Sequence, residues 1–384
     1  MRPLSTPESQ FLALLRYGAG FRQPDPAEES ALFGDSLAWE AVYAIAQEQG
    51  MVGVVTDGIG CLKGPAAPVE DDIRLDPYLG DLVVIERRCG VLDTFIPKLF
   101  GYMAGAGLKP VLVKGQAVAR VYPTPSHREC GDIDIFLSPK EYEAARALLL
   151  PRAKRVVEDT PEILHVGMFF GNVEVELHGA VSTLMSPRLD RRLAALYAVA
   201  MKEAAESVPP PSVAFDGGDV PTFPRDFNAL YIFVHFLHHY WSRGVGFRQL
   251  FDWALLLQRT QPDPEVLRSW LRDLHLLRVW EVFAGFVVEH FGADPARIPL
   301  YRKVFRRKNR RIARYIFRCG NFGKSAPKRS RDKGAEGYME RKVRSFFQLV
   351  VADRLRHLRV FPLESLRFFI GASGYGLGRL RKGE

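Results

Sequence analysis

Hydrophobic residues recur at helical spacing through the first hundred positions of the chain. Trp39–Gln47 carries apolar side chains three and four positions apart, and a longer pattern of the same kind runs from about Pro77 to Met103. The Gly64–Pro68 stretch, which is rich in turn-forming residues, separates the two patterns. We therefore predict a helical N-terminal region over residues 1–105.

The pattern changes at Lys109, where short apolar runs and strict alternation replace the helical period. The predicted strands are Pro110–Val113, Gly131–Leu137, Val156–Val157, Ile163–Phe170 and Val173–His178. A helical pattern, Pro139–Leu149, lies between two of them and begins with a proline, which the first turn of a helix tolerates. Strands mixed with helices over so few residues predict a small mixed-sheet core over residues 106–206.

Helical spacing returns beyond Pro187 and continues to the C-terminus. The predicted helices are Arg225–Trp241, Phe247–Arg259, Pro264–His275, Val279–Phe291, Val304–Arg318 and Tyr338–Leu358. Ser207–Asp219 is rich in proline and glycine and is expected to be a boundary loop. We assign residues 207–384 to a helical C-terminal domain, so the fold class is α+β with helical regions on both sides of the sheet.

Composition narrows the class of protein. Of 384 residues, 47% are hydrophobic and 25% are charged, which is typical of a globular protein and excludes global disorder. We find no apolar run of membrane-spanning length and no signal peptide, so no transmembrane segment and a cytoplasmic location are expected. The four cysteines show no C-x-x-C spacing, which argues against a zinc ribbon or a disulfide framework.

The net charge of +9 is concentrated in one segment, Arg302–Lys333, where fourteen basic residues accompany a single acid. Three interpretations remain open for this segment. It is a solvated helical face followed by a mobile loop at Ser325–Gly337, an RNA-binding surface, or a contact for an anionic membrane or an acidic partner. Aromatic residues that could stack on bases lie within it: Tyr315, Phe317 and Phe322.

Two acids on one predicted strand carry the strongest chemical signal. Asp132 and Asp134 are two positions apart in Gly131–Leu137, so their side chains share one face of the strand. Neighbouring carboxylates repel each other unless a cation or a raised pKa relieves them, and a hard divalent cation does so with oxygen ligands. This pattern predicts a magnesium site.

A second strand, Val173–His178, repeats the arrangement with Glu174, Glu176 and His178 on one face. If the two strands pair, three or four carboxylates converge, which suits one or two Mg²⁺ ions that also bind substrate phosphates. The alternative is a pair of amphipathic strands whose acids are simply solvated.

A predicted phosphate-binding turn precedes the first acidic strand. Lys114-Gly115-Gln116 joins a predicted strand to a helix, and glycine at such a turn lets backbone N–H groups approach phosphates. Arg128 lies on the loop before Gly131, where it could clamp a phosphate.

These motifs together resemble a known family. Leu112–Gly115, Tyr122-Pro123, Arg128 and Gly131–Asp134 are similar to the uncharacterised bacterial nucleotidyltransferases of the DNA polymerase beta superfamily. Glu176, two residues before His178, matches the acid-x-His element of that family, and a helical His…His…Arg…Asp pattern follows downstream. That pattern consists here of His235, His239, Arg248 and Asp252.

The resemblance implies a polymerase-beta-like core and assigns roles residue by residue. Catalysis and metal binding are expected of Asp132, Asp134 and Glu176, with one or two Mg²⁺ ions and Mn²⁺ as the alternative ion. Nucleotide contacts are expected of Lys114, Gly115, Gln116, Arg128 and Gly131. Acceptor-side or supporting roles are expected of Glu174, His178, His235, His239, Arg248 and Asp252. The implied reaction moves an NMP from ATP or another NTP to an acceptor hydroxyl and releases pyrophosphate, the acceptor being a small molecule, a protein or RNA.

Several alternatives remain open at this level. The chain could be a catalytically silent relative that binds nucleotide, RNA or a protein partner, or a two-metal hydrolase, a class that usually places more histidines around its metals. His235 and His239 lie one helical turn apart, a spacing that suits a structural role, a substrate-facing role or a metal site. Arg248 and Asp252 have the same spacing and could form an ion pair.

Overall fold

The structure is a computed structural model that describes residues 4–34, 36–160, 163–181, 183–242, 244–321 and 353–371. Its N-terminal part is helical: α1 Thr6–Gly18, α2 Pro26–Phe33, α3 Trp39–Gln49, α4 Val52–Gly60 and α5 Asp76–Gly105. Local signals set the ends of these helices. Ser5 and Glu8 form a capping box at the start of α1, and Gly50 ends α3 in the left-handed conformation.

A five-stranded mixed sheet follows. Its strands are β1 Val111–Val113, β2 Asp132–Phe136, β3 Arg155–Thr160, β4 His165–Phe170 and β5 Val173–His178, in the spatial order β1-β2-β5-β4-β3. β2 and β5 run parallel and the other neighbouring strands are antiparallel. Helix α6 (Gly115–Ala119) follows β1 in the chain, and α7 (Pro139–Leu149) follows β2.

Helices dominate the rest of the described chain. They are α8 Pro187–Glu206, α9 Arg225–Ser242, α10 Phe247–Thr260, α11 Pro264–Asp273, α12 Leu277–Phe291, α13 Arg306–Cys319 and α14 Asp353–Leu358, with further helical residues at 362–371. Between α8 and α9 lies a two-stranded sheet of β6 Ser212–Val213 and β7 Val220–Pro221. Among the described residues, no helix is long and apolar enough to cross a bilayer.

Two hydrophobic cores position the site. The smaller one lies between α5, α7 and the sheet face that carries Ile133, Ile135, Val175 and Leu177. The larger one joins α1 and α4 to α9, α10, α12 and α13. The opposite face of β2 and β5 is polar at the end that carries Asp132 and Asp134, and a cleft opens there beneath α9 and α10.

The predicted α+β class with a mixed sheet is confirmed, and β5 and α7 have the predicted bounds. The predicted boundary loop at Ser207–Asp219 instead contains β6 and leads into β7, beyond which Thr222 donates its hydroxyl to the carbonyl of Leu112 at 3.0 Å. Most of the predicted helix Tyr338–Leu358 and all of Ser325–Gly337 lie outside the described residues. The division at residues 105 and 206 stays a prediction, although N- and C-terminal helices share the larger core.

Candidate active site

Three carboxylates meet where β2 and β5 lie side by side. The parallel register sets Asp132 opposite Glu174 and Asp134 opposite Glu176. Oxygen atoms of Asp132, Asp134 and Glu176 lie within 4.8 Å of one another, a grouping that does not include Glu174. The residues singled out as a metal-binding set therefore converge, and their donors are the oxygen ligands that Mg²⁺ prefers.

Burial and mutual repulsion perturb these acids in different directions. Burial, together with the charges of Asp134 and Glu176, raises the pKa of Asp132 to about 6. Burial also acts on Asp134, yet the neighbouring Lys114 and His178 hold the pKa of that carboxyl below its usual value. Part of the pKa shift of Asp132 therefore comes from the neighbouring carboxylates, whose charge a bound cation would neutralise.

Lys114 reaches the acids from the turn after β1. Its φ of 55° is uncommon for a residue other than glycine, and Gly115 follows with a φ of 34°. The Lys114 Nζ lies 2.6 Å from Asp134 Oδ1, and both side chains are largely buried. Although burial opposes the ammonium form, the carboxylates around it raise the pKa of Lys114.

Two histidines stand beside the acids. His178 Nε2 lies 2.8 Å from Asp134 Oδ1 and 3.5 Å from Glu176 Oε2. His165 Nε2 lies 3.4 Å from the same Glu176 oxygen. Sequence reasoning missed His165, although β4 and β5 are adjacent predicted strands and an antiparallel pairing sets His165 directly opposite His178.

Arg128, for which a phosphate contact was predicted, instead pairs with another side chain of the protein. Its Nε and Nη2 donate to the two carboxylate oxygens of Asp252 at 2.8 and 2.7 Å, and the residue is 6% exposed. Tyr122 donates its hydroxyl to Asp252 at 2.6 Å. The partner of Asp252 is therefore Arg128, whereas helical spacing suggested Arg248. These contacts favour a positioning role for Arg128, and its phosphate contact stays a prediction.

Gln116 was also expected to contact nucleotide, but its side chain does not face the cleft. Its side chain is buried at 2% exposure, where its amide donates to Asp93 at 2.5 Å and its carbonyl accepts from the Cys130 thiol. The side chain thus faces α5 instead of the cleft, so a nucleotide contact by that side chain is not supported.

Helices α9 and α10 form the other wall of the cleft, whose cavity volume is about 90 Å³. His235 lines it, and burial together with the nearby Lys114 charge lowers the pKa of this histidine. His239 Nε2 lies 3.1 Å from His235 Nε2. Arg248 also lines the cleft and donates from Nη1 to the Glu129 carbonyl at 2.8 Å, while its Nε has no hydrogen-bond partner among the described residues.

A comparison with protein families decides the class. The model of a family described as "Uncharacterised nucleotidyltransferase" matches residues 35–292, two thirds of the chain. The chain belongs to this nucleotidyltransferase family. The matched range contains the whole sheet, the three carboxylates and both walls of the cleft, and it ends at the close of α12. No curated protein and no solved structure matched the chain.

Proposed function

We propose that the protein is an Mg²⁺-dependent enzyme that moves an NMP from an NTP to an acceptor hydroxyl and releases pyrophosphate. The observation that carries the proposal is the convergence of Asp132, Asp134 and Glu176, the first two of which line a cleft, in a nucleotidyltransferase family member. Phosphoryl chemistry of this kind depends chiefly on positioning and on neutralising charge, which such a cleft supplies.

The donor set fits the ion. Three carboxylate groups offer oxygen atoms within 4.8 Å of one another, and burial together with the charges of the other two raises the pKa of Asp132. Asp132, Asp134 and Glu176 would hold one or two Mg²⁺ ions, with Mn²⁺ as the alternative. When bound, the ion neutralises triphosphate charge and polarises the phosphorus under attack.

Cationic groups of the chain would bind the triphosphate. Arg248 is the better candidate of the two arginines, because its guanidinium has a backbone carbonyl as partner whereas Arg128 faces a carboxylate. Lys114 would exchange Asp134 for a phosphate oxygen, and Gly115 and Gly131 lie where backbone can approach it. Arg128 would act through Asp252 by fixing the loop before β2.

Glu176 would receive the proton of the acceptor. The acceptor oxygen forms a bond to the α-phosphorus while the bond from that phosphorus to the leaving pyrophosphate oxygen breaks, and the hydroxyl proton passes to Glu176. His178, which lies 3.5 Å from Glu176, would orient this carboxylate. Glu174, His235 and His239 would face the acceptor, whose class the proposal leaves open among small molecules, proteins and RNA.

One contact favours the catalytically silent alternative. Lys114 Nζ already lies 2.6 Å from Asp134, so an internal cation neutralises a carboxylate that would otherwise hold the metal. In that case the fold would bind nucleotide, RNA or a protein partner without transfer. The two functions differ in whether Mg²⁺ and an NTP bind together and react.

The test uses the full chain with each α-labelled NTP and Mg²⁺, and follows label into small-molecule, protein and RNA fractions. Mg²⁺ with the right NTP should raise the melting temperature, since a ligand that binds the folded state stabilises it. The Asp132→Asn, Asp134→Asn double variant should lose most of that shift, and Glu143→Gln, an exposed carboxylate on α7, should keep it. An unchanged shift in the double variant would refute the metal site.

A second variant tests the phosphate contact. Arg248→Ala should weaken NTP binding by about 1.5–3 kcal/mol, the range for a hydrogen bond to a charged group. Titration calorimetry measures this, with Arg259→Ala near the far end of α10 as the matched control. Equal affinity in wild type and Arg248→Ala would remove Arg248 from the nucleotide site.

A further inference from the structure

Two imidazole nitrogens converge on one carboxylate oxygen beside the acidic set. Glu176 Oε2 lies 3.4 Å from His165 Nε2 and 3.5 Å from His178 Nε2. Ligand atoms of these three residues all lie within 4.8 Å of one another. The group shares Glu176 with the acidic set, and His178 Nε2 also lies 2.8 Å from Asp134 Oδ1.

The sheet holds this group rigidly and leaves space next to it. The antiparallel register of β4 and β5 sets His165 opposite His178 and Gly167 opposite Glu176. Gly167 presents no side chain on this face, and a Cβ at that position would meet nothing closer than 3.9 Å. All three donors are side chains of paired strands, which position ligands more accurately than loops do.

The separations of Glu176 from the two histidines match those of a tetrahedral ion site. A metal about 2.1 Å from each ligand in tetrahedral geometry requires neighbouring ligand atoms about 3.4 Å apart. The two His–Glu separations are 3.4 and 3.5 Å. Both histidines therefore lie at the separation from Glu176 that two ligands of one tetrahedral ion require, and the third pair of donors lies within 4.8 Å.

We propose that His165, Glu176 and His178 form a site for a borderline transition-metal ion of the Zn²⁺ or Co²⁺ class. Imidazole nitrogen suits such ions, whereas Mg²⁺ selects oxygen donors, so the chemistry of the donors separates this site from Asp132 and Asp134. The pairing of the two sites rests on the proposed function, but the binding of the ion does not. Three protein ligands leave a fourth position open, which is typical of catalytic sites.

Occupation of this site changes the contacts of Asp134. His178 Nε2 now lies 2.8 Å from Asp134 Oδ1, so binding an ion would move this nitrogen from Asp134 to the ion. Asp134 would keep Lys114, 2.6 Å away, as its partner. An ion at the histidine site therefore alters the charge around the neighbouring carboxylates, and Glu176 serves both sites.

The experiment titrates the full metal-free chain with Co²⁺ and records visible absorption, which is intense for tetrahedral cobalt and weak for octahedral cobalt. We expect one intense, saturable spectrum in wild type that excess Mg²⁺ does not displace. His165→Asn and Glu176→Gln should each weaken Co²⁺ binding about tenfold or more and lose the intense bands. Using both variants keeps the test decisive if one of them does not fold.

Three control variants locate the ion. His275→Asn, at an exposed position, and His239→Asn, in the α9 histidine group, should keep the spectrum. Asp132→Asn should also keep it while losing the Mg²⁺–NTP thermal shift. A weak octahedral spectrum, an unchanged spectrum in His165→Asn, or its loss in His239→Asn would overturn the site.

The outcomes separate the two proposals. If Mg²⁺ and NTP produce no shift while Co²⁺ gives the tetrahedral spectrum that His165→Asn abolishes, the proposed function fails and the histidine site stands. If transfer and the thermal shift occur but His165→Asn binds Co²⁺ as wild type does, the histidine site is wrong and the proposed function stands.

Discussion

A single substitution in the buried ion pair between Arg128 and Asp252 tests whether Arg128 has a positioning role. The pair joins the loop before β2 to α10 across 124 positions of sequence, with two hydrogen bonds of 2.8 and 2.7 Å. Both residues are 6% exposed. We predict that Asp252→Asn destabilises the fold strongly, because the Arg128 charge would be left buried without a compensating carboxylate.

The expected cost is about 3–5 kcal/mol, the usual effect of removing one partner of a buried pair. Asn is the better substitution because its carbonyl can still accept the 2.6 Å hydrogen bond from Tyr122. A leucine would leave the Tyr122 hydroxyl buried without a hydrogen-bond acceptor, which would add about 1–3 kcal/mol of desolvation cost. The double variant Arg128→Met, Asp252→Asn should cost much less than the sum of the single changes, since no charge is then left unpaired.

Urea unfolding of wild type, both single variants and the double variant measures the coupling free energy. Asp159→Asn is the matched control, since its pair with Arg146 lies at the surface with 28% of each side chain exposed and should contribute at most about 1 kcal/mol. A cost below about 1 kcal/mol for Asp252→Asn, with no coupling, would refute the positioning role. Arg128 would then be available to phosphate, as the sequence motif predicted.

Three further predictions follow from other parts of the chain. Glu176→Gln should abolish transfer while sparing much of NTP binding, and Glu174→Gln should reduce the transfer rate far less. The reverse order in turnover assays would show that the wrong glutamate was assigned. Burial lowers the pKa of His290 to about 4, so the unfolded chain takes up a proton near pH 6.5 and the folded chain only near pH 4. The free energy of unfolding should therefore fall by up to about 3 kcal/mol as the pH drops through that window. The urea midpoint of His290→Gln should lack this part of the dependence on pH. If Arg302–Lys333 binds RNA, log affinity should fall linearly with log salt, and a flat response or no binding at about 50 mM salt would leave a solvated face.

Alternation along single strands predicted much of the site. In β2 the side chains of Ile133 and Ile135 enter the smaller core, and Asp132 and Asp134 lie on the other face. This follows from the period of two, which needs no knowledge of neighbouring elements. The pairing of the two acidic strands was expected only conditionally, because one sequence does not fix which strands are neighbours. The parallel register of β2 and β5 meets that condition.

Contacts between distant elements could not be read from spacing. The i, i+4 rule suggested that Asp252 pairs with Arg248, yet α10 packs so that Asp252 faces Arg128. The same limitation hid His165, which is unremarkable in its own strand and becomes significant only through its place opposite His178. Gln116 lies beside a glycine that suggested a phosphate turn, but packing against α5 buries its side chain.

The contacts of Lys114 predict that nucleotide and metal bind cooperatively in the cleft. Lys114 neutralises Asp134, while Asp132 keeps a pKa raised by burial and by the neighbouring acids, so the carboxylates are not fully compensated by the chain itself. A triphosphate would attract Lys114 away from Asp134 because it carries more charge than one carboxylate. Asp134 would then depend on a metal ion for compensation, which makes nucleotide and metal binding mutually supporting. A silent relative would have no need for this exchange, so cooperative binding of NTP and Mg²⁺, lost in Lys114→Met, is the thermodynamic property that separates the two functions.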